Sequence, residues 1–309
     1  MSTEPNDKFA TAPENFTPID GWKPGDLEFF TIKQKDFTPV EHGTWSTLYK
    51  RQKEILKGRA VDMFMDSLST LGISEKGVPQ LSEINSILQK RTGWQVVAVP
   101  GLIPEEPFFE LLANRRFPVG NFIRTPENLD YIQEPDIFHD VFGHVPILAD
   151  PVFADYVEAF GKGGIKAMKA GMTAKLARLY WYTVEFGLIQ QKDGLRIYGA
   201  GILSSPTESV FALESKSPHR INFNLRRILQ TKYQIDDFQD NYFVIDSYKQ
   251  LFDETYADFT PIYKELDGKE EHRSGITLPT DKLVHKGTGE YAVEAEKRRD
   301  EKRKQAKTG

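Results

Sequence analysis

Tyr131-Ile-Gln-Glu-Pro-Asp-Ile-Phe-His-Asp-Val-Phe-Gly-His-Val-Pro146 sets two of the chain's six histidines, His139 and His144, five residues apart beside Asp136 and Asp140. The rest of the stretch is largely apolar. Pro135 suits the opening turn of a helix, Asp136 sits where the positive end of the helix dipole favours a carboxylate, and Gly143 with Pro146 stops the helix about two turns later. On a continuous α-helix a five-residue step separates side chains by roughly 140°. Both imidazoles then face one point only if the second lies at or past the helix end, a turn that Gly143 permits. The pattern is that of a metal site. It is not the zinc-protease pattern, in which two histidines lie four apart with a glutamate beside the first.

A third ligand has to come from elsewhere. Thr173 to Gln191 reads as one long helix in which Glu185 is the single acid among Leu179, Tyr180, Trp181, Tyr182, Val184, Phe186 and Leu188. A buried carboxylate is costly unless it is paired or coordinates a metal. Trp181 and Leu188 share its helical face, so it points into the core. Two imidazoles and a carboxylate make the facial triad that leaves coordination positions open and suits non-haem Fe(II). Asp140, Asp150 or Glu158 offers the same chemistry in place of Glu185, and an ion pair with Arg178 would make Glu185 structural. A mononuclear zinc hydrolase fits the same ligand list.

Composition limits the rest. With 309 residues, 39% of them hydrophobic, the chain can bury a full core as one domain with modest extensions. It has no cysteine, which removes disulfides, thiolate zinc sites, iron-sulfur clusters and cysteine nucleophiles. A net charge of −5 argues against a nucleic-acid footprint. No apolar run approaches the roughly 18 residues of a membrane span, and the start lacks a basic stretch followed by an apolar one. The expectation is a cytoplasmic protein with no membrane or nucleic-acid partner.

In chain order, residues 1–20 read as a flexible arm. Thr38-Pro-Val-Glu41 is a capping box with proline at the first helical position. A periodic apolar run from Trp45 to Leu68 follows, with Gly58 as a break. Ser82 to Thr92 and Pro104 to Asn114 read as helices, and Trp94 to Val99 and Phe117 to Arg124 as strands. Beyond the histidine stretch, the spacing predicts a helix from Pro151 stopped by Gly161, a strand over Leu195 to Leu203, a helix over Pro206 to Glu214, a strand over Tyr242 to Ile245 and a helix over Tyr248 to Phe259. The fold class expected is mainly α with a few short β-strands. After Leu266 the composition turns charged, so residues 267–309 read as a partly disordered tail, with Lys297 to Lys307 a basic, solvated end.

Three segments carry a resemblance. Glu134 to Pro146, Tyr180-Trp-Tyr-Thr-Val-Glu-Phe-Gly187 and Tyr198-Gly-Ala-Gly-Ile-Leu-Ser-Ser205 are similar, in order and separation, to signature segments of the pterin-dependent aromatic amino acid hydroxylases. The likeness extends over residues 21–266, taking in Trp45, Val78-Pro-Gln-Leu81 and Gly101-Leu-Ile103. Within the family it is greatest to the compact bacterial phenylalanine 4-hydroxylases. It implies a single hydroxylase-like catalytic domain, and without tetramerising heptads a monomer.

The resemblance implies that His139, His144 and Glu185 ligate Fe(II), with Glu185, Tyr180 and Asp140 at the catalytic positions. Phe108 would stack on a tetrahydropterin, with Gly101, Leu102 and Ile103 around it. As a residue pattern, however, Phe108 fits equally a core stripe with Phe109 and Leu112. Arg124 would bind the carboxylate of the substrate L-phenylalanine, Ser204 would help hold it, and Asp136 would pair with Arg124. Trp181, Phe186 and Pro135 would wall the ring. Two positions depart from the animal members: Ile132 replaces a threonine, and Asp140 a glutamate. The implied reaction is ring hydroxylation by O₂, with tetrahydropterin as the electron source. Tryptophan is the alternative substrate, and a zinc hydrolase or a non-catalytic binding protein the alternative class.

Overall fold

The capping box forms. Thr38 Oγ1 accepts the Glu41 N–H at 3.3 Å and Glu41 Oε2 accepts the Thr38 N–H at 2.8 Å, opening helix α1 (Pro39–Ile55). The computed structural model describes residues 21–130, 134–235 and 237–298; the expected N-terminal arm, Ile132 and most of the basic end lie outside the described residues. The apolar run past Tyr49 divides as Gly58 suggested. Gly58 takes φ +69°, and the chain restarts in α2 (Asp62–Thr70). The buried faces of both helices meet one target: Trp45 packs edge-on against Phe138, and Tyr49 and Phe64 against Phe142.

Helix α3 (Leu81–Thr92) ends on Gly93 at φ +77°, as a left-handed C-terminal residue should. Strand β1 (Gln95–Val99) follows, then α4 (Glu105–Ala113) and β2 (Arg116–Gly120), which pairs parallel with β1. The second strand stops at Gly120, four residues short of the expected Arg124. There the Gly120 N–H turns to Asp140 Oδ2 at 2.7 Å.

The histidine stretch is helical, but Phe138–His144 is a π-helix rather than an α-helix. Helix α5 (Pro151–Lys169) is capped by Asp150, whose Oδ1 accepts the N–H groups of Val152 and Phe153. It runs through Gly161, which the sequence marked as a stop. A Cβ on Gly161 would lie 2.4 Å from the Ala113 nitrogen, and one on Gly164 would lie 2.0 Å from Phe109 Cδ1. These glycines let α5 lie close against α4.

The predicted long helix from Thr173 to Gln191 is three pieces: α6 (Thr173–Tyr180), a π-helical turn over Trp181–Glu185, and strand β3 (Leu188–Gln191). Leu188 therefore does not share a helical face with Glu185. Strand β4 (Gly194–Ile197) forms a hairpin with β3, and the segment expected to continue it to Leu203 folds instead into the short helix α7 (Ala200–Leu203). Gly199 and Gly201 both lie against Glu185, and side chains alternating along a strand would collide there.

Helix α8 (Pro206–Glu214), strand β5 (His219–Asn222), α9 (Leu225–Leu229) and β6 (Asn241–Ile245) complete the second half. The helix predicted over Tyr248 to Phe259 ends at Thr255 as α10 (Tyr248–Thr255), and α11 (Thr260–Leu266) restarts it. The segment after Leu266, read above as a charged tail, adds β7 (Leu283–His285), so the five-stranded sheet runs β4-β3-β6-β5-β7. The class is the expected one, mainly helical with few strands, and one large apolar core joins the halves.

Two adjacent glycines of α5, Gly163 and Gly164, give a paired test. Gly164→Ala should lower stability by about 1–3 kcal/mol through overpacking against Phe109. Gly163→Ala, with nothing within 4 Å of its added methyl, should raise it by about 0.5–1 kcal/mol. Urea denaturation of both variants checks the signs.

Candidate metal centre

In a π-helix each turn is closed by hydrogen bonds from residue i to i+5, so residues five apart fall nearly above one another. His139 and His144 thus project to the same side from within one helical turn. His144 is the last residue of that helix, as expected, but the wider turn rather than an exit from the helix brings it round. Their Nε2 atoms lie 3.1 Å apart, and Glu185 brings Oε1 to 3.1 Å from His144 Nε2 and Oε2 to 3.6 Å from His139 Nε2. One ligand atom from each of the three residues falls within 4.8 Å of the other two, the one such group found among the described residues. Glu185 also ends a π turn, in which the Phe186 N–H reaches back to the Trp181 carbonyl at 2.8 Å.

The surroundings prepare these atoms as ligands. Ser204 Oγ donates to the Ala200 carbonyl at 2.9 Å, leaving its lone pairs to accept from His139 Nδ1 at 2.8 Å. That places the His139 hydrogen on Nδ1 and leaves Nε2 with a lone pair toward the centre. Burial drives the His139 imidazole down to about 4, opposed in part by the charge of Glu185. Burial raises Glu185, but His144, by charge and hydrogen bond, outweighs it and the carboxylate lies below its ordinary value. A neutral imidazole and an ionised carboxylate are the ligand forms. Arg178, weighed above as a partner for Glu185, instead bonds Glu271 Oε2 and the Leu229 carbonyl.

Around this centre lies a cavity of about 430 Å³ whose lining includes Gly101, Leu102, Ile103, Phe108, Arg124, Pro135, Asp140, Tyr180, Trp181 and Ser204 beside the three ligands. Each named site residue is thus brought to one place. Phe108 faces the cavity and meets Tyr180 edge-on at 5.9 Å, while Phe109 and Leu112 are wholly buried. The choice between pocket and core stripe is resolved by splitting the stripe. Arg124 makes a bidentate pair with Asp136, Nε to Oδ2 at 2.8 Å and Nη2 to Oδ1 at 2.9 Å, and Asp136 Oδ1 also accepts the His139 N–H. Asp136 therefore fixes both the guanidinium and the first histidine. Ser204, expected to hold the substrate carboxylate, has its hydroxyl engaged between Ala200 and His139, so it serves the imidazole. Asp140 is raised to about 7 by burial, with the Gly120 N–H acting against that.

A profile of the family described as "Biopterin-dependent aromatic amino acid hydroxylase" matches residues 26–266. The chain belongs to the biopterin-dependent aromatic amino acid hydroxylases. Among curated relatives of this hydroxylase family, it is 56% identical to the phenylalanine-4-hydroxylase of Ralstonia nicotianae over 84% of each chain. It is 54% identical to that of Caulobacter vibrioides over 88% of this chain and 94% of the relative. Of solved structures, phenylalanine hydroxylase from Chromobacterium violaceum bound to cobalt superposes with a TM-score of 0.82 at 53% identity, covering 85% of this chain and 96% of that one. The iron- and phenylalanine-bound form gives 0.79 at 53% identity, covering 82% and 94%.

Several residues that line the cavity or support its wall carry no periodicity or motif that marks them in the sequence. Tyr233 stacks on Trp181 at 4.3 Å, and Gln239 Oε1 accepts the Trp181 Nε1–H at 2.8 Å. Both come from an irregular connection. Glu208, which reads in sequence as an ordinary first-turn helix acid, is buried in the cavity wall and accepts from the Tyr242 hydroxyl and from the Gln239 N–H at 3.2 Å. Burial raises it to about 7 against those two hydrogen bonds. An acid raised in the folded state contributes stability that is present below its unfolded value and is lost as pH climbs through about 7. Glu208→Gln should therefore gain stability relative to the parent as pH rises from about 5 to 8. Melting temperatures across that range check the slope.

Proposed function

We propose that this chain hydroxylates the ring of L-phenylalanine to L-tyrosine, with O₂ and a tetrahydropterin as co-substrates and non-haem Fe(II) held by His139, His144 and Glu185. The observation that carries the reading is the convergence of two imidazoles and one carboxylate on an aromatic-walled cavity that also contains a buried arginine. The donor set fits the metal: two nitrogens, one carboxylate oxygen and no thiolate. When bound, Fe(II) and the reduced pterin supply the electrons that O₂ needs before it can react with a closed-shell ring.

The chain's own residues bind, orient and exclude water. Arg124 has five N–H donors, of which Nε, Nη2 and, at 3.4 Å, Nη1 contact Asp136 and the Leu129 carbonyl. Hydrogens remain on Nη1 and Nη2 for an amino-acid carboxylate. Asp136 keeps the guanidinium in one orientation. Trp181, pinned between Tyr233 and Phe186 and tied to Gln239, offers with Pro135 a fixed apolar wall for the substrate ring. Phe108 presents its exposed face as a platform for the flat pterin, beside the backbone of Gly101, Leu102 and Ile103. An apolar surround limits water at the reacting ring, which keeps the oxidant for the substrate. Tyr180 is kept protonated by burial, and packs against His144. The Asp140 carboxyl, held by the Gly120 N–H, orders the end of β2 beside the histidines.

Incubation of anaerobically Fe(II)-loaded protein with tetrahydropterin, O₂ and either amino acid tests the reading. Tyrosine should form from phenylalanine only with iron and pterin both present, and Glu185→Ala should abolish it. Preferential 5-hydroxylation of tryptophan would move the substrate, and unoxidised pterin with no product would overturn the enzyme assignment. Ser204→Ala, which frees the His139 tautomer, should lower metal affinity or turnover by about 10–100-fold.

A further inference from the structure

The segment beyond β7, charged in composition, returns to the wall of the catalytic cavity. Residues 290–298 are helical. Tyr291 anchors this helix through its N–H, which donates to Ser217 Oγ at 2.8 Å. Its ring meets Phe238 at 5.3 Å and Phe211 edge-on at 5.1 Å, and Phe211 and Phe238 stack on one another at 4.5 Å. Its hydroxyl donates to Asp237 Oδ1. Asp237 and Phe238 both line the cavity. Two residues of the cavity wall are thus fixed by a tyrosine more than fifty positions further along the chain, whose own side chain is outside the cavity lining.

We propose that Tyr291 is a positioning residue for the amino-acid site, setting Asp237 and Phe238 in the cavity wall and so tying the C-terminal segment to substrate affinity. The connection it steadies is the one that carries Gln239, the partner of the Trp181 indole. Gln239 Nε2 donates to the carbonyls of Gln234 and Asp237, at 2.9 and 3.2 Å, so the connection is tied from the core side by Gln239 and from the outer side by Tyr291. Glu208 accepts the Gln239 N–H and holds that inner tie. With one tie lost, the wall is held from the core alone. The ring wall at Trp181 would then be less well ordered, which costs binding before it costs chemistry. Burial and the hydrogen bond to Asp237 both keep the Tyr291 phenol protonated, up to about 12, so the hydroxyl remains a donor through the neutral range. The inference goes beyond the hydroxylase reading in giving Tyr291 this role, and it rests on that reading in placing the amino acid in this cavity.

The test compares the full-length parent with Tyr291→Phe, which keeps the stacked ring and removes the hydroxyl, and Tyr291→Ala, which removes both. Two readouts are taken: hydrogen exchange of the Gln234 to Gln239 amides in the protein as purified, and steady-state kinetics of the iron-loaded enzyme. Tyr291→Phe should exchange faster over those amides and raise KM for L-phenylalanine by about three- to tenfold, the effect of losing one hydrogen bond. Its kcat and melting temperature should stay close to the parent's, and Tyr291→Ala should go further in the same direction. Unchanged exchange and KM in both variants would overturn the proposal. So would a fall in activity that follows only a lower melting temperature with KM unaltered, because that is the result of a purely structural anchor. A parent that turns over neither amino acid would count against the hydroxylase reading, while the exchange rates would still decide the role of Tyr291.

Discussion

Two imidazoles five residues apart reach one point because hydrogen bonds from residue i to i+5 close the turn that carries them. A helix of ordinary pitch would turn His144 well away from His139, and the site would have two nitrogens on different sides of the same segment. The wider turn is unfavourable on its own account and persists only where tertiary packing over-determines it. Here the supports are identifiable. Trp45 packs on Phe138, Tyr49 and Phe64 on Phe142, Phe117 lies 4.9 Å from His144, and Gly143 sits so close to Ala200 that a Cβ would come within 2.9 Å of its carbonyl. The buried faces of α1 and α2 thus pack on the turn that carries both histidines.

The second constraint is electrostatic. Asp136 is a wholly buried carboxylate that accepts from the Arg124 side chain, the Arg124 backbone and the His139 backbone. An isolated buried charge would be intolerable, and here the pair is bidentate and its acceptor capacity nearly filled. One residue therefore fixes the Arg124 guanidinium relative to the backbone of His139. The Ser204 hydroxyl performs the complementary task on the other side of the imidazole, selecting the tautomer.

Much of this was legible in the sequence, and the parts that were not share a cause. His139, His144 and Glu185 could be picked out because histidine beside carboxylate in an apolar setting is chemically unusual, and the capping box at Thr38 because its spacing is local. The π turns were not legible, since periodicity reads only the common α and β repeats. For the same reason Thr173 to Gln191 read as one helix although a π turn and a strand follow Tyr180, and Gly161 read as a stop although it serves a close helix contact. Tyr233 and Gln239 lie in irregular backbone, where no repeat points a side chain anywhere, and Glu208 sits in the first turn of α8, where an acid reads as an ordinary response to the helix dipole. The segment after Leu266 was misleading through composition: among its charges Asp281 pairs in a buried contact with Arg227, Leu283 to His285 add a strand and Tyr291 reaches the cavity wall.

One π turn and one glutamate should together make a single metal site. Anaerobic calorimetric titration with Fe(II) of the parent, His139→Ala, His144→Ala and Glu185→Ala, each shown to be folded by its melting transition, tests it most directly. One ion should bind per parent chain, with a severe loss of affinity in each of the three variants. Parental affinity retained by any one of them would contradict it.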